Sequence, residues 1–189
     1  MDYDAQRELQ QELSAGERLA WSGRPRQGLR LRAADAVMIP FSLMWGGFAF
    51  FWEWSVLHQG GPGFFALWGI PFVVIGLYMI FGRFFYDAWQ RSRTYYGITD
   101  QRAIIRTARG VKSLSLQNLT DLSLKERGDR SGTIAFGAAD PRYAMWANVG
   151  WPGTARYLPP SFEMIDNARQ VYDQIRDSQR AMQQLKGNA

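Results

Sequence analysis

The 189-residue chain contains no cysteine and a single histidine, His58. Without cysteine it can form no disulfide, no thiolate nucleophile and no cysteine-ligated zinc site. One histidine excludes histidine clusters and zinc sites of the HExxH type. The sequence also lacks a GxxxxGK[ST] phosphate loop, a GxGxxG fingerprint and a GxSxG nucleophile elbow. We therefore predict no catalytic residues, no cofactor and no metal site.

Charge is nearly absent from two long segments. Residues 36–57 contain one charged side chain, Glu53, and residues 64–82 contain none. Each segment has about the length that a helix needs to cross a hydrocarbon core of roughly 30 Å. Both are apolar around their whole circumference, whereas core helices of soluble domains usually keep a polar stripe. We predict transmembrane helices over 36–57 and 64–85; the alternative is a pair of buried core helices.

The two spans are joined by a short turn. Residues 58–63 read HQGGPG, and glycine and proline end one helix and allow a tight reversal. The turn carries no lysine or arginine, while arginines flank the ends of both spans that lie away from the turn. Positive charge stays on the cytoplasmic side, so we predict cytoplasmic termini and an extracytoplasmic turn. The flanking arginines are Arg24, Arg26, Arg30 and Arg32 before the first span and Arg83, Arg91 and Arg93 at the end of the second.

Small and acidic residues within the spans are candidates for helix packing or function. We predict that Gly46 and Gly47 pack closely against Gly69 and Gly76 of the other helix, because glycine lets two backbones approach. A separate contact between copies of the chain is the alternative. Glu53 lies near the outer end of its helix, where its carboxylate can either act in function or extend to the interface.

The segment before the spans is polar. We predict residues 1–35 to be a cytoplasmic N-terminal segment with a helix over Asp2–Leu13, where Leu9 and Leu13 have helical spacing. Leu19 and Trp21 follow a glycine, and two placements suit them: the edge of a sheet or the membrane surface.

After Arg93 the sequence changes to short strands separated by turns, which is typical of an antiparallel sandwich or barrel. Val111–Leu116 alternates with period two and Leu122–Lys125 alternates again, while Gly132 belongs to the turn signals between segments. The predicted strands are Thr94–Ile98, Ala103–Thr107, Val111–Leu116, Leu122–Lys125 and Thr133–Phe136, with weaker candidates at Tyr143–Trp146 and Arg156–Leu158.

A helix is predicted to close this domain. Pro159 and Pro160 end the sheet, and Ser161 is a residue type that caps helices. Apolar residues then recur at helical spacing, at Phe162, Ile165, Ala168, Tyr172 and Ile175. We place the domain at residues 90–178 and a polar tail at 179–189.

Residues 95–105, YYGITDQRAII, resemble the "Y-x-hydrophobic-T-D/N-x-R-hydrophobic" opening of bacterial PH-like (pleckstrin-homology-like) domains. Residues 116–122 and 132–137 resemble the strands that follow in that family. Its members often place the domain directly after a two-helix membrane hairpin. The resemblance implies an α+β protein of the bacterial cytoplasmic membrane. Its PH-like domain would have two near-orthogonal sheets, a closing C-terminal helix and no catalytic residues.

The net charge of +5 lies in the strand region. We predict that a basic cluster there contacts anionic lipid or an acidic partner; the alternative is a general richness in arginine. Arg102 and Arg106 are four residues apart on one strand and share a face. Ile104 lies on that face and Ile105 on the other, and we expect one of the two to enter the core. The predicted cluster is Arg102, Arg106, Arg109 and Lys112.

These patterns favour a membrane-anchored, non-catalytic interaction or scaffold module that docks a protein partner or self-assembles. Two alternatives stay open: an accessory or assembly subunit of a larger membrane complex, and an anionic-lipid-binding module. Nucleic acid is not an expected partner, because no stacking platform or recognition helix is evident.

Overall fold

The computed structural model describes residues 2–29, 31, 35–60, 62–119, 121–138, 140, 142 and 157–187. It is an α+β structure that divides into two compact units. The hairpin unit comprises Leu29–Ala88 and Pro141–Tyr157. The strand unit comprises Met1–Gly28, Trp89–Asp140 and Leu158–Ala189.

The hairpin unit is built from α2 (Asp35–His58) and α3 (Gly63–Leu77). A π-helical turn (Tyr78–Gly82) and α4 (Arg83–Ser92) continue α3 without a break. Asp35–His58 and the continuous helix Gly63–Ser92 are long and apolar enough to cross a membrane. The two long apolar helices that the sequence predicts are therefore confirmed.

The apolar side chains of these helices point outward. Only 22% of the most apolar window of the first helix is buried, and 11% of that of the second. A core helix of a soluble domain would instead be largely covered. Within this chain the two helices are therefore mostly uncovered, which the alternative of buried core helices does not predict. The large exposed apolar side chains include Leu43, Met44, Phe48, Phe51, Leu67 and Val74.

The strand unit contains two antiparallel sheets. The first has the order β1-β2-β3-β4, formed by Leu19–Gly23, Tyr95–Thr99, Arg102–Thr107 and Gly110–Ser115. A 3-10 turn at Leu116–Asn118 leads to the second sheet, β5-β6-β7, formed by Leu122–Glu126, Gly132–Phe136 and Ser161–Ile165. Helix α5 (Ala168–Gly187) closes the unit. The core includes Ile98, Ile105, Leu116, Ile134, Phe162, Val171 and Ile175.

The N-terminal segment belongs to the strand unit. Asp2 caps α1 (Tyr3–Gln10), and its carboxylate accepts from the backbone N–H groups of Asp4 and Ala5. Leu9 of α1 is fully buried, and a Cβ at Gly97 of β2 would lie 2.9 Å from its Cδ1. Strand β1 pairs with β2, so Leu19 and Trp21 lie at a sheet edge.

The structure corrects the predicted start of the closing helix. Residues 161–165 form β7, which pairs with β6, and α5 begins only at Ala168. Phe162 and Met164 are buried on alternate positions, as a strand requires. Met164, with φ of 50°, lies at the irregularity in the pairing of β6 with β7, and Asn167, also with φ of 50°, lies between the strand and the helix. The predicted strand Tyr143–Trp146 lies outside the described residues, as does Arg156, whereas Tyr157 and Leu158 are described and do not form the predicted strand.

Candidate functional site

The structure does not bring the predicted basic cluster onto one face. In the β3–β4 pair, Lys112 lies opposite Ile105 and Arg106 lies opposite Val111. Residues directly opposite each other in an antiparallel pair project from the same face. Ile105 belongs to the core, so Lys112 projects from the opposite face to Arg106. Arg109 and Lys112 are exposed in the β3–β4 hairpin.

The sequence left open which isoleucine enters the core; the structure places Ile105 there and buries Ile104 as well. Ile105 is 7% exposed within the core between the sheets, and Ile104 is 0% exposed on the other face. Ile104 lies opposite Gly97, the residue that Leu9 of α1 contacts. Helix α1 therefore covers the face that the sequence predicted to carry solvent-exposed arginines.

Arg102 is part of a hydrogen-bonded ion pair on this covered face. Its Nε and Nη2 donate to the two carboxylate oxygens of Glu17, each at 2.8 Å. Thr99 Oγ1 donates to Glu17 Oε1 at 2.7 Å, and the Ser14 backbone N–H donates to Oε2 at 2.8 Å. The Glu17 side chain is 1% exposed. The Arg102 guanidinium and these other donors lower the pKa of Glu17 to about 2, against the opposing effect of burial.

Arg106 is also neutralised within the strand unit. Its Nη2 lies 3.1 Å from Glu8 Oε2, and its Nη1 lies 3.7 Å from Glu12 Oε1. Nη1 also donates to the Glu8 backbone carbonyl. Arg102 and Arg106 thus fasten the N-terminal segment to β3, and only Arg109 and Lys112 of the predicted cluster remain exposed.

Two arginines that the sequence placed among the membrane flanks have partners in the strand unit. Arg24 pairs with Asp2 at 2.6 Å and with Asp4 at 2.8 Å. Arg26 pairs with Asp166 at 2.6 Å and with Asp129. Its backbone N–H also donates to the Met164 carbonyl at 2.9 Å. The N-terminal segment therefore reaches both sheets, which no local sequence signal indicates.

The strand unit also has an open polar groove between β5 and α5. Its volume is about 570 Å³. Gln174 lines it, and the Gln174 Oε1 atom is buried with no hydrogen-bond donor among the residues that the structure describes. Other lining side chains are Glu126, Arg130, Arg169, Asp173 and Asp177.

Helix α5 runs antiparallel to β5 along this groove. At one end Arg169 Nε lies 3.9 Å from Glu126 Oε2. At the other end Gln179 Nε2 donates to the carbonyls of Leu116 and Leu119, at 3.1 and 3.3 Å. The groove therefore follows α5, and Glu126, the last residue of β5, is the strand residue that lines it.

The outer edge of β5 is unpaired in the part of the chain that the structure describes, where β5 bonds to β6 alone. Gly137 N donates to Asp121 O, and Arg127 N donates to Ser131 O. Bonded residues alternate along an antiparallel pair, so the odd-numbered residues between these two bonds face β6. The backbone groups of residues 122, 124 and 126 consequently point away from the sheet.

Three of the four predicted packing glycines lie in the α2–α3 contact. A Cβ at Gly76 would lie 3.0 Å from the Gly46 Cα, so these backbones touch. A Cβ at Gly69 would overlap Glu53 Oε2. A Cβ at Gly47 would meet nothing within 4 Å, so the structure does not place Gly47 in the contact.

Glu53 lies inside the hairpin with one oxygen buried. Within the described residues, Glu53 Oε2 has no hydrogen-bond partner. Beside it lies an apolar cleft of about 210 Å³, lined by Trp45, Phe48, Ala49, Trp52, Trp68 and Phe72. His58 is exposed, and its Nδ1 lies 3.0 Å from the Trp54 carbonyl. No group of three or more acidic or histidine side chains in the described ranges could hold a metal ion.

No family model, curated protein or solved structure matches the chain. The resemblance of residues 95–105 to the opening of a PH-like domain therefore stays an expectation. We infer the function from the geometry of the two units.

Proposed function

We propose that the protein is a membrane-anchored, non-catalytic interaction module. The hairpin unit crosses the bacterial cytoplasmic membrane, and the strand unit docks a protein partner on the cytoplasmic side. The observation that carries the proposal is the groove beside α5 at the Glu126 end of β5, a strand whose outer edge has no partner strand among the described residues. A groove of this kind accepts an extended segment as an additional strand.

The backbone of β5 would supply the hydrogen bonds of this interaction that do not depend on the partner's side chains. The N–H and C=O groups of residues 122, 124 and 126 point outward and would bond to the incoming strand. A free sheet edge is a template for pairing, which natural proteins otherwise cover or block. In this proposal the partner segment covers the edge.

The α5 wall supplies specificity. Gln174 Oε1 is a buried acceptor, and leaving such a group unbonded costs about 1–3 kcal/mol. A donating side chain of the partner relieves this cost. Asp173, which is exposed one position before Gln174, strengthens the preference for a donor. We therefore expect the segment to carry a hydrogen-bond donor such as lysine or arginine.

Site-specific photocross-linking in cells tests this proposal. A photoreactive residue at Gln170 of the groove should give a discrete adduct with a second protein. The matched control is Gln101, an exposed glutamine of the same unit that is not a lining residue of the groove. An adduct of twice the chain's mass identifies self-assembly instead. Recovery of uncross-linked monomer at both positions contradicts the proposal.

A second candidate, an accessory subunit of a larger membrane complex, is favoured by Glu53. A buried carboxylate oxygen beside an aromatic cleft can accept a hydrogen bond from a neighbouring membrane helix. Native gel electrophoresis of a mild-detergent extract tests this. If the candidate holds, the wild-type chain migrates with a large complex, and less of the Glu53→Gln chain does so. Migration of the wild-type chain alone contradicts it.

A further inference from the structure

The end of the hairpin opposite its turn contains a buried ion pair. Asp35, the first residue of α2, is 8% exposed. Its Oδ1 lies 3.0 Å from Nη1 of Arg83, the first residue of α4. The Arg83 side chain is 20% exposed. The pair therefore joins the two helices where the hairpin's chain ends meet.

Arg83 has a second donor edge that the ion pair does not use. Its Nε and Nη2 are buried, and neither has a hydrogen-bond partner in the described parts of the chain. Together these atoms form the side of the guanidinium that binds two oxygens of one oxyanion in parallel. The Phe84 ring lies 4.4 Å from Arg83 Cζ and shields one face of the group. Such an edge is costly to bury unless an oxyanion occupies it.

The position of Arg83 along the helix indicates which oxyanion is available. Helix α3 has 15 residues, and the π-helical turn that follows has 5. At about 1.5 Å per residue they span roughly 30 Å, the thickness of the hydrocarbon core. Arg83 is the next residue, at the depth where lipid headgroups begin. The π-helical turn immediately before it fits this reading, because such turns often occur at functional sites.

We propose that the Nε–Nη2 edge of Arg83 binds a phosphate oxyanion, supplied by a phospholipid headgroup at this end of the hairpin. Asp35 is a positioning residue that holds Nη1 and leaves the Nε–Nη2 edge available to a second oxyanion. The inference rests on the part of the proposed function in which the hairpin spans the membrane. It is independent of the groove and of any protein partner.

Lipid retention by the purified full chain tests the proposal. Native mass spectrometry compares phosphatidylglycerol with monogalactosyldiacylglycerol, a phosphate-free lipid, with the same acyl chains. The wild type should retain phosphatidylglycerol in preference. Arg83→Lys keeps the charge but removes the fork, and should lower retention about tenfold, the equivalent of one charge-assisted hydrogen bond. The matched control, Arg93→Lys, alters an exposed arginine outside the hairpin unit and should retain the lipid as the wild type does.

A second variant keeps the test decisive if Arg83→Lys does not fold. Asp35→Asn keeps an oxygen that can accept from Arg83 Nη1 and removes the competing negative charge, so retention should rise. Equal retention of both lipids by the wild type overturns the proposal, as does retention that neither Arg83→Lys nor Asp35→Asn changes. Competition with millimolar inorganic phosphate distinguishes a lipid headgroup from a soluble phosphate group. Competition that depends on Arg83 supports the phosphate site but assigns it to a soluble phosphate group.

These outcomes are separate from those of the photocross-linking experiment. Lipid retention is measured on the purified chain without a partner. A failed lipid experiment with a positive Gln170 adduct removes only the phosphate site. A failed adduct with Arg83-dependent lipid retention removes only the docking proposal.

Discussion

Glu17 is the single residue whose ionisation contributes most clearly to the stability of the strand unit. Its pKa is lowered from 4.5 to about 2 in the folded chain, first by the hydrogen bonds from Arg102. A carboxyl group with a lowered pKa stabilises the fold above its unfolded pKa. The contribution is lost as pH falls from about 4.5 through about 2, and its upper bound is about 3 kcal/mol.

We therefore expect Glu17→Gln to lower the free energy of unfolding at neutral pH and to flatten its dependence on pH below about 4.5. Acid and thermal unfolding of the full chain, followed by circular dichroism, measures both effects. Asp121→Asn, a change at an exposed carboxylate, is the control. Parallel pH profiles for Glu17→Gln and the wild type would show that Glu17 does not carry this dependence.

Gly76 is a residue at which the backbones of the two hairpin helices are in contact. Its substitution by valine places Cβ 3.0 Å from the Gly46 Cα, a backbone atom that moves only if the helices separate. We expect Gly76→Val to destabilise the hairpin by about 1–3 kcal/mol. Gly47→Val has open space at its Cβ and should be close to neutral. Denaturation in mixed detergent micelles compares the two variants; equal stability would contradict this packing.

At the scale of elements, the N-terminal segment is held by arginines of β3. Arg102→Gln with Arg106→Gln removes the pairs with Glu17, Glu8 and Glu12, so α1 should open. Hydrogen exchange over residues 2–17 should rise strongly in this double variant.

The matched double variant is Arg109→Gln with Lys112→Gln, which changes two exposed side chains. It should leave exchange over residues 2–17 unchanged. If the anionic-lipid alternative holds, this variant alone should lower binding to phosphatidylglycerol vesicles without loosening α1. Exchange that rises equally in both double variants would contradict the assigned roles.

The elements differ in how far local sequence determines them. The two long helices are predicted because uninterrupted apolar runs need no distant partner, and β3 and β6 are predicted from apolar residues between turns. Strand β7 is missed because Phe162, Ile165 and Ala168 also fit a helical spacing. Pairing with β6 and the positive φ at Met164 decide the matter.

The candidate sites depend on contacts between distant residues, which explains why the sequence predicts them poorly. Arg102 and Glu17 are 85 residues apart. The sequence around Arg102 therefore does not distinguish an arginine in a buried ion pair from an exposed arginine. The groove requires α5 to lie beside β5, and nothing in either segment alone indicates this. The glycine contacts are better predicted, because a turn fixes which helices meet.

At the scale of the whole molecule, we propose that the turn of the hairpin lies outside the cell and that both termini lie in the cytoplasm. A reporter inserted after Gly60 and one fused after Ala189 should therefore report opposite sides of the membrane. Alkaline phosphatase and green fluorescent protein are suitable reporters, because each is active on one side only. Reports from the same side would contradict the hairpin and the cytoplasmic docking that depends on it.

Docking along the free edge of β5 is the central claim, and blocking that edge tests it most directly. Glu126→Pro removes an outward N–H while leaving the bonds between β5 and β6, which the odd-numbered residues make. The measurement is the yield of the Gln170 photoadduct in cells, with the melting temperature of the purified variant as the control. We predict a several-fold loss of adduct with little change in melting temperature. An undiminished adduct in a folded Glu126→Pro chain would contradict docking by strand addition.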